Sequence, residues 1–401
     1  MADHQATAFL RPGHSDRVLA GHPWIYEKSI RHYTRPPSDG ELIQVKDSRK
    51  RFLGVGFHNS MSRVRIRMAA STRVAIDTVY FSNRIQDAQT FRQKHFPGHP
   101  CYRVVNAESD GLGGLIVDKY GDTLSVQISS LAFDQRKTDI LEALTDAFPG
   151  RPIVENHDAR YRRFEGLPEI PAPPPDRPQH LMIQAKINDL EFAVDLGSGH
   201  KTGAYLDQQS NYQAIGDLVA NLTAPRVLDC FSYQGGFALH AAKHGAKEVL
   251  GLEQNHDAVE RAQENAKINN LSDACRFENV NVFDWFKETG SSTTAAGSFD
   301  MIILDPPSFT RSRANLANAA RGYKEIHLRA LRLLRPGGIL STFSCSHHVE
   351  REFFLDIVRE SAFDARRQLR LLRSHEQPLD HPVLPAIPET EYLKGYSFEV
   401  V

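Results

Sequence analysis

Between residues 41 and 68 apolar and polar residues alternate. In "ELIQVKDSRKRFLGVGFHNSMSRVRIRM" (41–68) the period-two runs break at Asp-Ser, His-Asn and Ser, which predicts the short strands of a small β-module. The same period sets Arg63, Arg65 and Arg67 on one face as a basic stripe. In "AASTRVAIDTVYFSNRIQDAQTFRQKHF" the apolar spacing turns helical and stays so to residue 96. "YRVVNAESDGLGGLIVDKYGDTLSVQI" (102–128) then reads as three strands joined by a glycine-rich turn and a Tyr-Gly-Asp turn, and "FDQRKTDILEALTDAF" as a helix. Six prolines in "EGLPEIPAPPPDRPQH" (165–180) forbid helix and central strand, predicting an extended exposed loop. "LMIQAKINDLEFAVDL" predicts a hairpin turning at Asn188-Asp189.

From about residue 200 apolar strands alternate with helical patterns. Strands are expected at 226–231, 248–253, "CRFENV", 299–305 and 338–344, with helices over "GGFALHAAKHG", "HDAVERAQENAKINN", "VFDWFKE" and "LANAARGYKEIHLRALRLL". This alternation implies an α/β fold with a mostly parallel, doubly wound sheet whose ligands bind at the carboxyl ends of the strands. The expected domains are a small β domain over 1–72, a central α/β domain over 73–195 and the doubly wound domain over 196–401.

Composition adds little to that picture. At 401 residues, 41% hydrophobic and 24% charged, the chain is long enough for two or three domains with a sizeable core. There is no apolar run of membrane-spanning length, and the first residues lack the apolar core of a secretory signal, so a cytosolic location is expected. The four cysteines show no C-x-x-C spacing, which suggests neither a zinc site nor a disulfide framework. Eighteen histidines include no H-E-x-x-H spacing, and no metal is expected. Charge distribution says more than the net charge of −1. Residues 1–70 carry +6 and the remainder −7, the asymmetry expected if the first part touches phosphates, although a solvated charged surface gives the same count.

Three motifs carry chemistry. In "VLDCFSYQGGFALHAAKHGAKEVLGLE" a strand ends on Asp229, Gly235 and Gly236 let the backbone approach a ligand, and Glu253, ending the next strand, has the place and charge to accept ribose hydroxyls. The dinucleotide fingerprint G-x-G-x-x-G is absent, and Asp229 would repel a pyrophosphate while suiting an ammonium and a sulfonium. These features favour S-adenosylmethionine over a nicotinamide cofactor. In "DPPSF" (305–309), Asp305 and two prolines make a rigid turn at a strand end, with Phe309 near enough to stack on a base. Cys345, in "FSCSHH", ends the following strand. A thiolate adding to carbon 6 of cytosine would make carbon 5 nucleophilic enough to take a methyl group. The bland alternative is a small buried cysteine.

Several segments together resemble one family: "GHPWIYEKSI", "VNAESDGLGGLIVDKYGD", "GHKTGAYLDQQSN", "FSYQGGFALHA", "DPPSF", "RGYKEIHLRAL", "FSCSHH" and "HPVLPAIPETEYLKGYSFEV". The chain resembles the bacterial 23S rRNA cytosine-5 methyltransferases, in which an N-terminal PUA RNA-binding domain and a small α/β domain precede a class I Rossmann-like methyltransferase domain. The resemblance implies S-adenosylmethionine as cofactor and naked or partly assembled 23S rRNA as partner. It puts Lys201, Tyr205, Asp207 and Gln208 at the border of the cofactor pocket. Asp229 and the turn through Phe231, Ser232 and Gly235 would hold the methionine end, and Glu253 the ribose. Asn281 stands where family members usually carry the Asp that contacts adenine, with Asp284 as an alternative. Cys345 would be the nucleophile, with Asp305 beside both cofactor and cytosine. His347 could tune the thiolate or simply be solvated. Methylation of guanine or an exocyclic amine, and a non-catalytic RNA-binding assembly factor, are the competing readings. Oligomeric state, a homodimer included, is left open.

Overall fold

A computed structural model describes residues 5–156, 159–168, 181–197, 203–290, 297–310 and 312–401. The chain divides into two compact units: Met1–Ala185 with Val194–Leu206 and Leu379–Thr390, and Lys186–Ala193 with Asp207–Pro378 and Glu391–Val401.

In the first unit the described residues form two sheets. A six-stranded sheet runs in the order Trp24–Tyr26, Val64–Ala70, Phe52–His58, Leu42–Lys46, Thr7–Leu10, Ile30–Tyr33. Its alternating apolar positions, among them Ala8, Leu10, Ile43, Val45 and Ile66, close a small core. The strands at 7–10, 24–26 and 30–33 have too little alternation to be read from sequence. A four-stranded sheet, Ile153–Glu155, Thr123–Ile128, Leu115–Tyr120, Cys101–Asn106, packs beneath the Thr78–His95 and Lys137–Ala147 helices.

The predicted basic stripe is largely neutralised. Arg65 pairs with Glu27 at 2.8 Å, and Arg67 bridges Glu108 at 2.8 Å and Glu165 at 3.0 Å. Arg63 is exposed. Of the proline-rich stretch, residues 169–180 lie outside the described residues. The predicted hairpin pairs Met182–Ile187 with Leu190–Asp195, turning at Asn188 with φ 53°.

The second unit is built on a seven-stranded sheet. In chain order its strands are β1 (Arg226–Cys230), β2 (Glu248–Glu253), β3 (Cys275–Asn279), β4 (Phe299–Leu304), β5 (Leu334–Ser344), β6 (Leu369–Glu376) and β7 (Lys394–Val400). Their spatial order is β3-β2-β1-β4-β5-β7-β6. Strands β1 to β5 are parallel, as their near-continuous apolar runs require when helices cover both faces. The final pair is antiparallel, β7 lying against β5 and β6 against β7, so the sheet is mixed. The sequence pattern had supplied five strands and missed these two. Strand order reverses between β1 and β4, which places a crevice beyond the carboxyl ends of Cys230 and Leu304, opposite one another in register.

Candidate active site

The β1 end is a tight turn. Phe231 and Tyr233 adopt left-handed backbone (φ 65° and 47°), a costly conformation for non-glycine residues, and Gly235 follows at φ 84°. Hydrogen bonds tie the turn to the end of β2: Ser232 N–H donates to Leu252 O at 3.0 Å, and Tyr233 N–H to Glu253 Oε2 at 3.1 Å. Glu253 Oε1 accepts from Asn255 N–H at 2.8 Å.

Asp229 is fully buried beneath this turn. Its Oδ2 accepts from Ala238 N–H at 3.0 Å, in the first turn of the Gly236–Lys243 helix. Asp229 Oδ1 and Ser232 Oγ are buried with no hydrogen-bond partner among the described residues. Burial pushes the Asp229 carboxyl well above the usual range, and the neighbouring Asp305 and Glu253 push it the same way. Such a carboxyl asks for a cation.

Across the reversal, Asp305 leaves β4. Its Oδ2 accepts from Gln208 Nε2 at 3.0 Å, and Gln208 Oε1 accepts from Asn211 Nδ2 at 2.6 Å, which fixes the amide orientation. Asp207, one residue earlier, accepts from Tyr392 Oη at 2.9 Å. Phe309 is half-buried rather than free to move: its ring sits 4.7 Å from Tyr323 and 6.0 Å from Phe283.

At the β5 end the alternation of strand side chains separates a polar network from a thiol. Ser344 and Ser346 are buried, and the Tyr323 hydroxyl bonds both, at 2.9 and 3.4 Å. Ser346 also meets Ser308 of the Asp-Pro-Pro turn at 2.8 Å. Cys345, between the two serines, is only partly buried. Cys101, Cys230 and Cys275 are buried; burial drives the Cys230 thiol far above its ordinary range and Cys275 up to about 12, which leaves both inert. Tyr323, whose phenol burial raises to about 12, feels the charges of both Cys345 and Asp305, so the two strand ends share one neighbourhood.

The family of S-adenosylmethionine-dependent methyltransferases matches residues 149–394, more than half of the chain. The chain belongs to that family. A PUA-like domain matches residues 9–70. Among curated relatives, "Ribosomal RNA large subunit methyltransferase I" of Tolumonas auensis is 37% identical over 398 residues, covering 97% of this chain and 98% of the relative. The protein of that name from Aeromonas salmonicida is 38% identical over 395 residues, covering 96% and 97%. Among solved structures, a Streptococcus mutans protein described as a SAM-dependent methyltransferase superposes with TM-score 0.81 at 20% identity, covering 98% of this chain and 100% of that one. Another methyltransferase structure, complexed with SAH, gives TM-score 0.82 at 20% identity with the same coverage. These two likenesses speak for the fold.

The methyltransferase's own residues fit its cofactor. The orphaned oxygen of Asp229 and the raised carboxyl suit the ammonium of S-adenosylmethionine, and Ser232 Oγ is a further unsatisfied polar atom in the same turn. Asp229, Phe231, Ser232, Gly235, Glu253, Gln208 and Asp305 all belong to the crevice side of the second unit or the turns that feed it. Tyr205 is half-buried and belongs to the first unit, while Lys201 lies outside the described residues. Asn281 is exposed: its Oδ1 caps the Val282–Gly290 helix by accepting from Phe283 N–H at 2.9 Å, and its Nδ2 donates to Gln254 at 3.1 Å. Asp284 is exposed and pairs with Lys287 at 3.2 Å. His347 is exposed, its ring 5.6 Å from Tyr392. Sequence reasoning missed Tyr323, Asn211, Tyr392 and Lys394. The first lies inside the quoted "RGYKEIHLRAL" and the last two inside "EYLKGYSFEV", but nothing in local spacing ties them to Cys345 or Asp207.

Proposed function

We propose that this methyltransferase forms 5-methylcytosine in 23S rRNA, with Cys345 as nucleophile and Asp305 beside the target base. The observation that carries the reading is the contrast among the thiols: three are buried, and the partly buried one follows the end of the strand that pairs with the strand leading to Asp305. The names of the curated relatives support rRNA as the substrate class. Asp229, Phe231, Ser232 and Gly235 would hold the methionine end of S-adenosylmethionine, Glu253 its ribose, and Lys201, Tyr205, Asp207 and Gln208 the border of its pocket. Asn281 or Asp284 would face adenine.

S-adenosylmethionine, when bound, supplies an electrophilic methyl group. The thiolate of Cys345 adds to carbon 6 of cytosine; the C5–C6 electron pair shifts through the ring to N3, which takes up a proton, leaving carbon 5 as the nucleophilic end of an enamine. Asp305, oriented by Gln208, is available to bond the N3 and N4 edge of the ring. Once carbon 5 carries the methyl group, N3 gives back the proton it took up, a base removes the proton on carbon 5, the C5–C6 double bond re-forms, and the S–C6 electron pair returns to Cys345.

A base inside a duplex cannot reach this thiol, so the target is single-stranded or flipped out, and naked or partly assembled rRNA is the better substrate. We take the division into 1–72, 73–195 and 196–401 as part of this reading, with the first part docking RNA in the cytoplasm.

The test is nucleoside mass spectrometry on unmodified 23S rRNA incubated with isotope-labelled S-adenosylmethionine, with wild type and Cys345→Ala in parallel. Labelled 5-methylcytosine from wild type alone is the expected result. Label on guanine or an exocyclic amine, indifferent to the substitution, would overturn it, and RNA binding without transfer would make the protein an assembly factor.

A further inference from the structure

Lys394 opens β7, and its ladder partner on β5 is Ser344, the residue before Cys345. A lysine is out of place there. Only 4% of it is exposed, and its ammonium donates to Ser346 O at 2.8 Å and Val349 O at 2.6 Å, closing the turn that Cys345 enters. Two carbonyl dipoles do not replace the hydration of a buried charge, which needs an anion nearby.

The charged groups around it identify that anion. Glu376, opposite on β6, is exposed to solvent. Glu391 in the segment before β7, with Glu350 and Arg351 at the start of the Arg351–Asp364 helix, act on Lys394 more weakly than Cys345 does. Burial pulls the ammonium down to about 8, and Cys345 is the largest influence opposing that pull. A group that favours the charged lysine is, by reciprocity, favoured as an anion by it.

We propose that Lys394 holds Cys345 as its thiolate: it is a positioning residue for the nucleophile, in addition to closing the 345–349 turn. The inference rests on the reading of Cys345 as nucleophile, but its test does not require methyl transfer.

The full chain, without RNA or S-adenosylmethionine, is alkylated with iodoacetamide from pH 6 to pH 9, and modification of Cys345 is followed by mass spectrometry. Lys394→Gln keeps a donor and removes the charge. It should slow alkylation about tenfold at pH 7, the factor that a one-unit rise in the thiol midpoint produces, and Lys394→Arg should restore most of the rate. A Lys394→Gln protein alkylated at the wild-type rate at every pH would overturn the proposal and leave Lys394 a turn-closing residue. Should that variant fail to fold, the reciprocal measurement decides: the NMR titration of the Lys394 amine should move to lower pH in Cys345→Ser, and an unchanged midpoint would overturn the proposal. If Cys345→Ala methylated RNA normally, the nucleophile reading would fail while both titrations kept their meaning.

Discussion

Replacing Asp229 with asparagine is expected to stabilise the ligand-free protein and weaken S-adenosylmethionine binding together. Asp229 has one oxygen bonded to Ala238 N–H, another with no partner among the described residues, and a carboxyl pushed up by burial and by Asp305 and Glu253. A buried polar atom left unsatisfied costs roughly 1–3 kcal/mol. An amide keeps the acceptor for Ala238 and, although its Nδ2 takes over the unpartnered place, it carries no charge, so the part of the cost that comes from ionisation beside Asp305 and Glu253 is recovered. At about 2–4 °C per kcal/mol for a unit of this size, the variant should melt about 2–10 °C higher at pH 8.

The sign of the pH dependence is fixed by the raised carboxyl. Below the unfolded carboxylate value of about 3.9, both states are protonated and the wild type suffers no penalty. As pH rises towards the folded value the unfolded state ionises first, so wild-type stability falls, and the deficit persists at higher pH. The advantage of Asp229→Asn should therefore vanish near pH 4 and be full at pH 8. Binding moves oppositely: a hydrogen bond to a charged group contributes about 1.5–3 kcal/mol, so affinity should drop about 10- to 150-fold. Thermal melts at the two pH values and calorimetric titration at pH 8 measure both quantities. A variant that melts lower than wild type at pH 8, or binds the cofactor as tightly, would refute the reasoning.

Tyr323→Phe removes the hydroxyl shared by Ser344 and Ser346 and should cost about 1–3 kcal/mol in urea unfolding while lowering methyl transfer; unchanged stability would show that the serines find other partners. Arg63→Ala should weaken RNA binding about equally across sequences and reduce the salt slope by roughly one, whereas Arg67→Ala, losing Glu108 and Glu165, should mainly destabilise the fold by about 2 kcal/mol or more; filter binding against salt, alongside melts, separates the two. Burial lowers His327 to about 3, and His240 and His375 to about 4, so between about pH 6.5 and 4 the unfolded chain binds protons that the folded one refuses. The unfolding free energy from urea titrations should fall on acidification through that window, by several kcal/mol in all; a flat value from pH 7 to pH 4.5 would sink this account.

What the sequence disclosed and what it hid follow one physical division. The parallel strands were legible because burial on both faces demands continuous apolar runs, and the places of Asp229, Asp305 and Cys345 at strand ends were legible because that is where such runs stop. β6 was not, since Leu369–Glu376 is an edge strand carrying exposed Leu371 and Leu372 among arginines, a pattern that advertises neither face. The stripe of Arg63, Arg65 and Arg67 was correctly placed on a strand, yet its charge could not be read, because Glu27, Glu108 and Glu165 reach it from far along the chain. Lys394 is hidden for the same reason, standing 49 positions from Cys345 and joined to its turn only by an antiparallel pairing that no local period announces. The parallel strands set Cys345 just past the carboxyl end of β5. The antiparallel strand added beside them brings the buried Lys394 to the turn that follows β5, so the position of the thiol is written locally and that of the cation near it is written in topology.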